Sequence, residues 1–168
     1  MGASPSEMLA RELSKKPSER GTLLKQLLTV QEDGEYRAAM HTEKKKILLI
    51  EDDLFISEMY KKQLEISGYE VDFAMGGGEG KRKIQEKKYD LVLLDIMLPG
   101  MSGLEILAEM KANPETAKTP VIILSNLDLQ EVVDKGLSLG AEKYLTKATL
   151  TPLDLVSVVA NSVNSKKA

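Results

Sequence analysis

Carboxylates, a hydroxyl and an ammonium group each follow a short apolar run of this sequence. The runs and the polar residues after them are 47–50 before Glu51, Asp52 and Asp53; 91–94 before Asp95; 121–124 before Ser125; and 144–146 before Lys147. If the runs are strands of one parallel sheet, their carboxyl ends meet at one edge, where such folds bind ligands. Together the four positions indicate a site for a magnesium ion and a phosphoryl group.

The chemistry of these groups suggests a role for each. A carboxylate can attack phosphorus when neighbouring carboxylates hold a hard cation that neutralises the phosphoryl oxygens, and Mg²⁺ prefers oxygen ligands. Asp95 is the candidate nucleophile. One or two of the acids at 51–53 are candidate metal ligands, with waters and a main-chain carbonyl completing the shell. Lys147 and Ser125 are candidate donors to phosphoryl oxygens.

Each of these residues also has a structural explanation when it is taken alone. An aspartate or serine directly after a strand often caps the next helix, which would account for Asp53 or Ser125. Three consecutive acids can form a polar turn, and a lysine after an exposed strand end is usually solvated. The occurrence of all four features at the same end of different predicted strands favours function.

The elements that must position these groups alternate between strand and helix five times. Strands are predicted at 47–51, 70–74, 91–94, 121–124 and 142–145, and helices at 54–67, 79–87, 103–112, 128–138 and 151–164. This alternation is typical of a parallel sheet with helices on both faces. Right-handed crossovers favour the strand order 2-1-3-4-5, with the first and third strands beside the point where the order reverses. The predicted fold class is a doubly wound α/β sandwich, (βα)5.

Composition excludes several classes of function. The chain has 168 residues, 42% of them hydrophobic, which favours one well-packed domain with a small appendage. A net charge of -3 gives no broad basic field, so we expect no direct binding to nucleic acid. The absence of cysteine excludes disulfides and thiolate chemistry. No apolar run approaches the about 18 residues of a membrane span, and no secretion signal is evident, so we expect a cytoplasmic protein.

Residues 1–46 differ from the rest and are predicted to form a helical extension, or arm. The sequence at 4–7 resembles a capping box, and apolar residues from 8 to 13 and from 23 to 30 predict two short amphipathic helices. Such short helices bury little surface alone. The arm is therefore expected either to dock on its own domain, a second copy or a partner, or to be a partly ordered extension.

The ordered combination of motifs resembles the receiver domain of bacterial two-component response regulators. The matching stretches are 50–53, 94–103, 124–125 and 140–147, and the resemblance covers about 45–164. It implies a receiver domain at 47–168, a CheY-like fold, and the phosphorylation of Asp95 by a sensor histidine kinase or a phosphotransfer protein. It also implies Mg²⁺ bound directly by Asp52, by Asp95 and by the main-chain carbonyl of Met97. Glu51 would act chiefly through water, and Asp53 is a further candidate.

The resemblance also implies a conformational switch. Ser125 and Lys147 would receive the phosphoryl oxygens, and the movement of Ser125 would free space for Tyr144 to rotate inward. Modification would thereby change the surface formed by helix 128–138, strand 142–145 and helix 151–164, which would control a downstream protein target. This surface or the arm could also form a homodimer. Tyr144 by itself is equally explained as a half-buried strand aromatic.

Two positions depart from the pattern of this family. Members of this family usually have proline after the lysine, often in a cis peptide, whereas this chain has Ala148. A cis bond without proline costs ~2.5–4 kcal/mol, so a trans peptide and a differently placed loop are expected. Asn126 stands where alanine is common, and it could line the site mouth.

The glycines at 76–78 lack the Walker spacing, so they are predicted to form a strand-to-helix loop, not a phosphate site.

Three functions remain open at this point. The leading one is a phosphorylatable receiver that catalyses only its own phosphoryl transfer and dephosphorylation and is otherwise no enzyme. Because the chain ends after the fifth helix, this receiver is expected to act by binding partners or through its arm. The second is a degenerate receiver that serves as a constitutive interaction module. The third is a magnesium-dependent phosphohydrolase, a class that commonly needs an acid where this chain has Met97.

Overall fold

The apolar runs form one five-stranded parallel sheet. The computed structural model describes residues 43–165. Its strands are β1 (Lys46–Ile50), β2 (Glu70–Ala74), β3 (Leu91–Leu94), β4 (Val121–Ser125) and β5 (Lys143–Thr146). Their spatial order is β2-β1-β3-β4-β5, with every neighbouring pair parallel. The predicted fold class and strand order are therefore confirmed.

Five helices cover the two faces of the sheet. They are α1 (Leu54–Ile66), α2 (Gly77–Glu86), α3 (Gly103–Ala112), α4 (Gln130–Ser138) and α5 (Pro152–Asn164). On one face, Ile84 of α2, Ile106 of α3 and Val132 of α4 pack in one apolar cluster. On the other face, α1 and α5 contribute to a second cluster. Because β1, β3 and β4 lie between both clusters, their sequences are almost continuously apolar.

Side-chain caps fix where three helices begin. The Asp53 carboxylate accepts a hydrogen bond from the Ile56 amide and so begins α1 directly after the first strand. Ser102 forms a capping box with Glu105 at the start of α3, and Thr151 caps α5. Each cap satisfies amide groups that have no partner within the helix. The caps therefore hold the loops at the carboxyl edge of the sheet at short, defined lengths.

Some boundaries differ from the predicted ones. The helix α2 begins at Gly77, two residues before the predicted start, so Gly77 and Gly78 are helical and the prediction of a loop at 76–78 was wrong for them. A Cβ on Gly77 would lie 3.0 Å from the Met101 Cβ, so the glycine allows α2 to approach that segment closely. The helix α4 begins at Gln130, two residues after the predicted start, because the residue before it, Leu129, has an extended backbone.

Two short elements were not predicted. Met97–Leu98 pairs with Met101–Ser102 in an antiparallel hairpin, whose turn places Gly100 at a φ of +74°. Glycine adopts this left-handed conformation at little cost. The second element is a 3-10 turn at Lys147–Thr149. Elements of two or three residues are too short to leave a periodic pattern in the sequence.

The predicted helices of the arm lie outside the described residues, because only 43–46 of that segment fall within them. Within 43–165, no helix combines the length and the apolar character that a membrane crossing requires.

Candidate functional site

The strand register brings the acidic segments together at the carboxyl edge of the sheet. Ile50 of β1 pairs with Leu94 of β3, so the residues after them are neighbours. The Asp95 amide donates to the Ile50 carbonyl at 3.0 Å, which extends this pairing into the site. Glu51 and Asp95 therefore follow adjacent strands directly after paired residues, so they lie side by side at the edge of the sheet.

Three carboxylates converge at this edge. One oxygen from each of Glu51, Asp52 and Asp95 lies within 4.8 Å of the others. Glu51 is only 1% exposed and Asp95 is 4% exposed, whereas Asp52 is exposed to solvent. Two buried acids and one at the mouth form a concentrated negative charge that requires a counter-charge.

Lys147 supplies that counter-charge. Its ammonium lies 2.8 Å from Oε2 of Glu51 and 2.7 Å from Oδ2 of Asp95, and its side chain is only 9% exposed. The residue follows the edge strand β5, 96 positions after Glu51 and 52 after Asp95. One lysine therefore bridges the two buried carboxylates.

The burial of this cluster changes its protonation equilibria. Burial raises the pKa of Glu51, and this effect exceeds the lowering by the hydrogen bonds from Lys147 and from the Asp53 amide. Burial alone would lower the pKa of Lys147, but the hydrogen bonds from its ammonium to Asp95 and Glu51 outweigh it, so that pKa is raised. The lysine is therefore held in its charged form.

Two main-chain amides orient the buried acids. The Asp53 amide donates to Oε1 of Glu51 at 3.1 Å, and the Met97 amide donates to Oδ1 of Asp95 at 3.1 Å. The Asp53 carboxylate itself caps α1, and it is not part of the group of three converging acids. The main chain of Met97 lies beside Asp95, while its side chain is 61% exposed at the rim.

Ser125 and Tyr144 lie on the β4–β5 side of the site. Ser125 ends β4, is fully buried and accepts a hydrogen bond from the Leu127 amide at 3.2 Å. Tyr144 is half-buried, and its hydroxyl donates to the Leu127 carbonyl. Its ring lies 3.4 Å from where a Cβ on Gly136 would stand, so the glycine leaves room for it against α4. Tyr144 is thus half-buried against the apolar cluster of α2, α3 and α4, and burial raises its pKa.

The two unusual loop residues are exposed at the rim. The peptide between Lys147 and Ala148 is trans, as expected, because residues 43–165 contain no cis peptide. Ala148 lies in the 3-10 turn that leads from β5 towards α5. Asn126 follows the buried Ser125 and is solvent-exposed.

The donor set fits a magnesium ion. Carboxylate and main-chain oxygens are the hard ligands that Mg²⁺ prefers, and Asp52 provides an accessible carboxylate beside the two buried ones. Glu51, Asp52 and Asp95 are the residues that would hold the ion.

Sequence reasoning missed one residue near this cluster. Tyr60 of α1 is 2% exposed, and the charges of Lys147 and Glu51 both influence its phenol. In the sequence, Tyr60 lies on the apolar face of a predicted helix, which is typical of an aromatic residue in the core. No sequence pattern therefore links it to the site.

The fold and site together define a doubly wound α/β protein with a carboxylate cluster at the point where strand order reverses. The family model "Response regulator receiver domain" matches residues 47–160. The chain belongs to the response regulator receiver family, the signalling module of two-component systems.

Known proteins agree with this assignment. The transcriptional regulatory protein QseB of Escherichia coli O157:H7 is 41% identical over 115 residues, which are 68% of this chain and 50% of QseB. The crystal structure of a CheY-like receiver domain protein from Methanospirillum hungatei JF-1 matches with a TM-score of 0.70 and 31% identity, covering 74% of this chain and 98% of that one. The BeF3-activated DrrB receiver domain matches with a TM-score of 0.64 and 30% identity, covering 72% and 98%. The chain spans about half the length of the curated relatives it matches.

Proposed function

We propose that this protein is a phosphorylation-dependent switch in which Asp95 accepts a phosphoryl group. The donor would be a phosphohistidine on a sensor histidine kinase or a phosphotransfer protein, and the cofactor would be Mg²⁺. The observation that carries this proposal is the convergence of Lys147, Glu51 and Asp95 within hydrogen-bond distance, with Asp52 at the mouth. This arrangement provides a nucleophile, a cation site and a phosphoryl-binding ammonium in one place.

The transfer step follows from the chemistry of these groups. A carboxylate oxygen of Asp95 forms a bond to phosphorus while the bond from phosphorus to the donor imidazole nitrogen breaks, and the imidazole leaves with its electron pair. The amide of Met97 holds Asp95 by its Oδ1. When bound by Glu51, Asp52, Asp95 and the Met97 carbonyl, Mg²⁺ supplies positive charge to the phosphoryl oxygens. Water later attacks phosphorus, the bond from phosphorus to the Asp95 oxygen breaks, and the carboxylate and inorganic phosphate are released.

Lys147 and Ser125 complete the phosphoryl site in this proposal. Lys147 already contacts Oδ2 of Asp95, so its ammonium can donate to a phosphoryl oxygen attached there. The Ser125 hydroxyl can donate to a second oxygen. Because Ser125 and Tyr144 both contact Leu127, a movement of the serine would alter the contacts that hold the tyrosine.

The output surface would be the face formed by α4, β5 and α5. Three large apolar side chains in α4, in α5 or directly before α4 are exposed: Leu129 at 61%, Leu137 at 44% and Leu153 at 67%. We propose a downstream protein target here and no direct contact with nucleic acid, and either this face or the arm would support a homodimer. The protein would act in the cytoplasm. It would catalyse no reaction other than its own phosphorylation and dephosphorylation.

Intact mass after incubation with a small phosphodonor tests the proposal. The wild type should gain one phosphoryl adduct in the presence of Mg²⁺ and none with a chelator. Asp95→Asn should gain none, whereas the matched control Asp134→Asn, an exposed helix residue, should behave as the wild type.

Two results would contradict the proposal. The absence of an adduct with every donor would favour a constitutive interaction module. Sustained phosphate release from added phosphomonoesters would favour a hydrolase.

A further inference from the structure

The strand β2 lies at an edge of the sheet, because β1 is its only neighbouring strand within residues 43–165. The Ala74 carbonyl accepts a hydrogen bond from the Glu51 amide at 3.0 Å, so Ala74 turns its main-chain groups towards β1. Main-chain groups alternate in direction along a strand, so those of Phe73 and Met75 point outward. An outward row of amides and carbonyls is a template on which another strand can pair.

Two side chains of α2 occupy this outer edge. The Lys83 ammonium donates to the Phe73 carbonyl, and the Met75 amide donates to Oε2 of Glu79 at 2.9 Å. The same two side chains form an ion pair, in which Nζ of Lys83 lies 2.9 Å from Oε1 of Glu79. One pair of side chains, four residues apart on α2, therefore binds a carbonyl and an amide of β2 as a neighbouring strand would.

Positive charge lies beside the edge as well. Nζ of Lys61 in α1 is 5.1 Å from the centre of the Phe73 ring, and Nζ of Lys83 is 5.6 Å from it. The helices α1 and α2 pack in different apolar clusters, on opposite faces of the sheet. Lysines at an edge strand oppose pairing with another strand, and two copies of this chain would bring like charges together.

We infer that Glu79 and Lys83 form a latch that closes the outer edge of β2 against pairing with β2 of a second copy of this chain. A second copy fits because a two-fold antiparallel pairing lets the Met75 amide of each copy donate to the Phe73 carbonyl of the other. The latch holds these same two groups within one chain. It keeps self-association away from this edge, and it acts whether or not Asp95 is phosphorylated.

Amide hydrogen exchange of the full chain, followed by NMR, tests the latch itself. Glu79→Ala removes the acceptor of the Met75 amide, while Lys83 remains at the edge. Exchange of the Met75 amide should become at least about tenfold faster, as expected for the loss of a hydrogen bond to a charged group. The matched control is Arg82→Met, which breaks the 2.9 Å ion pair with Glu86 on the same helix and should leave this rate unchanged. An unchanged rate in Glu79→Ala would overturn the inference.

Sedimentation velocity of the full chain tests what the latch prevents. The double variant Glu79→Ala/Lys83→Met removes both side chains of the latch, which are 37% and 21% exposed, so the core stays intact. High salt screens the repulsion between the Lys61 side chains of two copies. Under these conditions the dissociation constant for self-association should be at least about tenfold lower than in the wild type, with Arg82→Met again unchanged. The new species should contain twice as many chains as the wild-type species.

The same amide identifies the surface that associates. In the associated double variant the Met75 amide should again exchange slowly, because the Phe73 carbonyl of the second copy accepts its hydrogen bond. Fast exchange of this amide in the associated species would place the contact elsewhere and overturn the inference. Association no stronger than that of the wild type, or growth beyond a doubling, would also overturn it.

Discussion

Removal of the bridging ammonium tests the energetics of the site most directly. In Lys147→Met the side chain keeps its approximate length but loses its charge, so two carboxylates at 1% and 4% exposure lose their shared partner. Breaking a buried ion pair costs about 3–5 kcal/mol, and the open mouth beside Asp52 favours the lower end, near about 3 kcal/mol. That is a large share of the about 5–15 kcal/mol by which domains are usually stable.

Urea unfolding followed by circular dichroism measures this loss, since the chain has no tryptophan and five tyrosines. The matched control is Lys81→Met, which breaks an equally short pair with Glu109, 2.6 Å long, whose side chains are 28% and 56% exposed. A surface pair of this kind contributes only about 0–1 kcal/mol. Equal losses in the two variants would refute the assignment of Lys147 as the counter-charge of a buried cluster.

Magnesium extends the same test. Lys147 and the ion would compete for Glu51 and Asp95, so Lys147→Met should bind Mg²⁺ more tightly than the wild type. Each tenfold gain in affinity adds about 1.4 kcal/mol of stability at saturating Mg²⁺. A variant that gains no more from Mg²⁺ than the wild type would show that the ammonium and the ion do not share these carboxylates.

Two further predictions concern the close packing of α3 and an ion pair near the surface. Gly103→Ala would place a Cβ 2.0 Å from the Asp95 carbonyl oxygen, so urea unfolding should show that the free energy of unfolding falls by several kcal/mol. The matched control Gly78→Ala, whose Cβ would have nothing within 4 Å, should raise it by about 0.5–1 kcal/mol. Similar effects of the two substitutions would contradict the close approach of α3. The hydrogen bond from Lys87 lowers the pKa of Asp72 below its usual value of 3.8. The ionised Asp72 therefore contributes its full stabilisation of the folded protein above pH 3.8, and this contribution is lost as the pH falls through the lowered pKa. The difference in unfolding free energy between wild type and Asp72→Asn should therefore shrink in acid, and a constant difference down to about pH 2 would contradict the pairing.

Much of the sheet could be predicted because its signals are local. The strands β1, β3 and β4 lie between two helical layers, so each is a continuous apolar run that ends at a polar residue. The side-chain cap of Asp53 is likewise specified within a few residues. The start of α2 was predicted two residues late, because the close approach of Gly77 to Met101 depends on packing that its neighbours in sequence do not show.

The sequence by itself determined the five strand–helix repeats, the order in which they pair and the end of the sheet at which Asp95 lies. Only the tertiary structure decided that Lys147 bridges two acids far from it in the chain and that the ring of Tyr144 packs beside Gly136. Backbone propensity and apolar periodicity act over a few neighbouring residues, so they leave a pattern in the sequence. Side-chain pairing across a sheet depends on register, burial and rotamer, which are settled only when distant segments pack together.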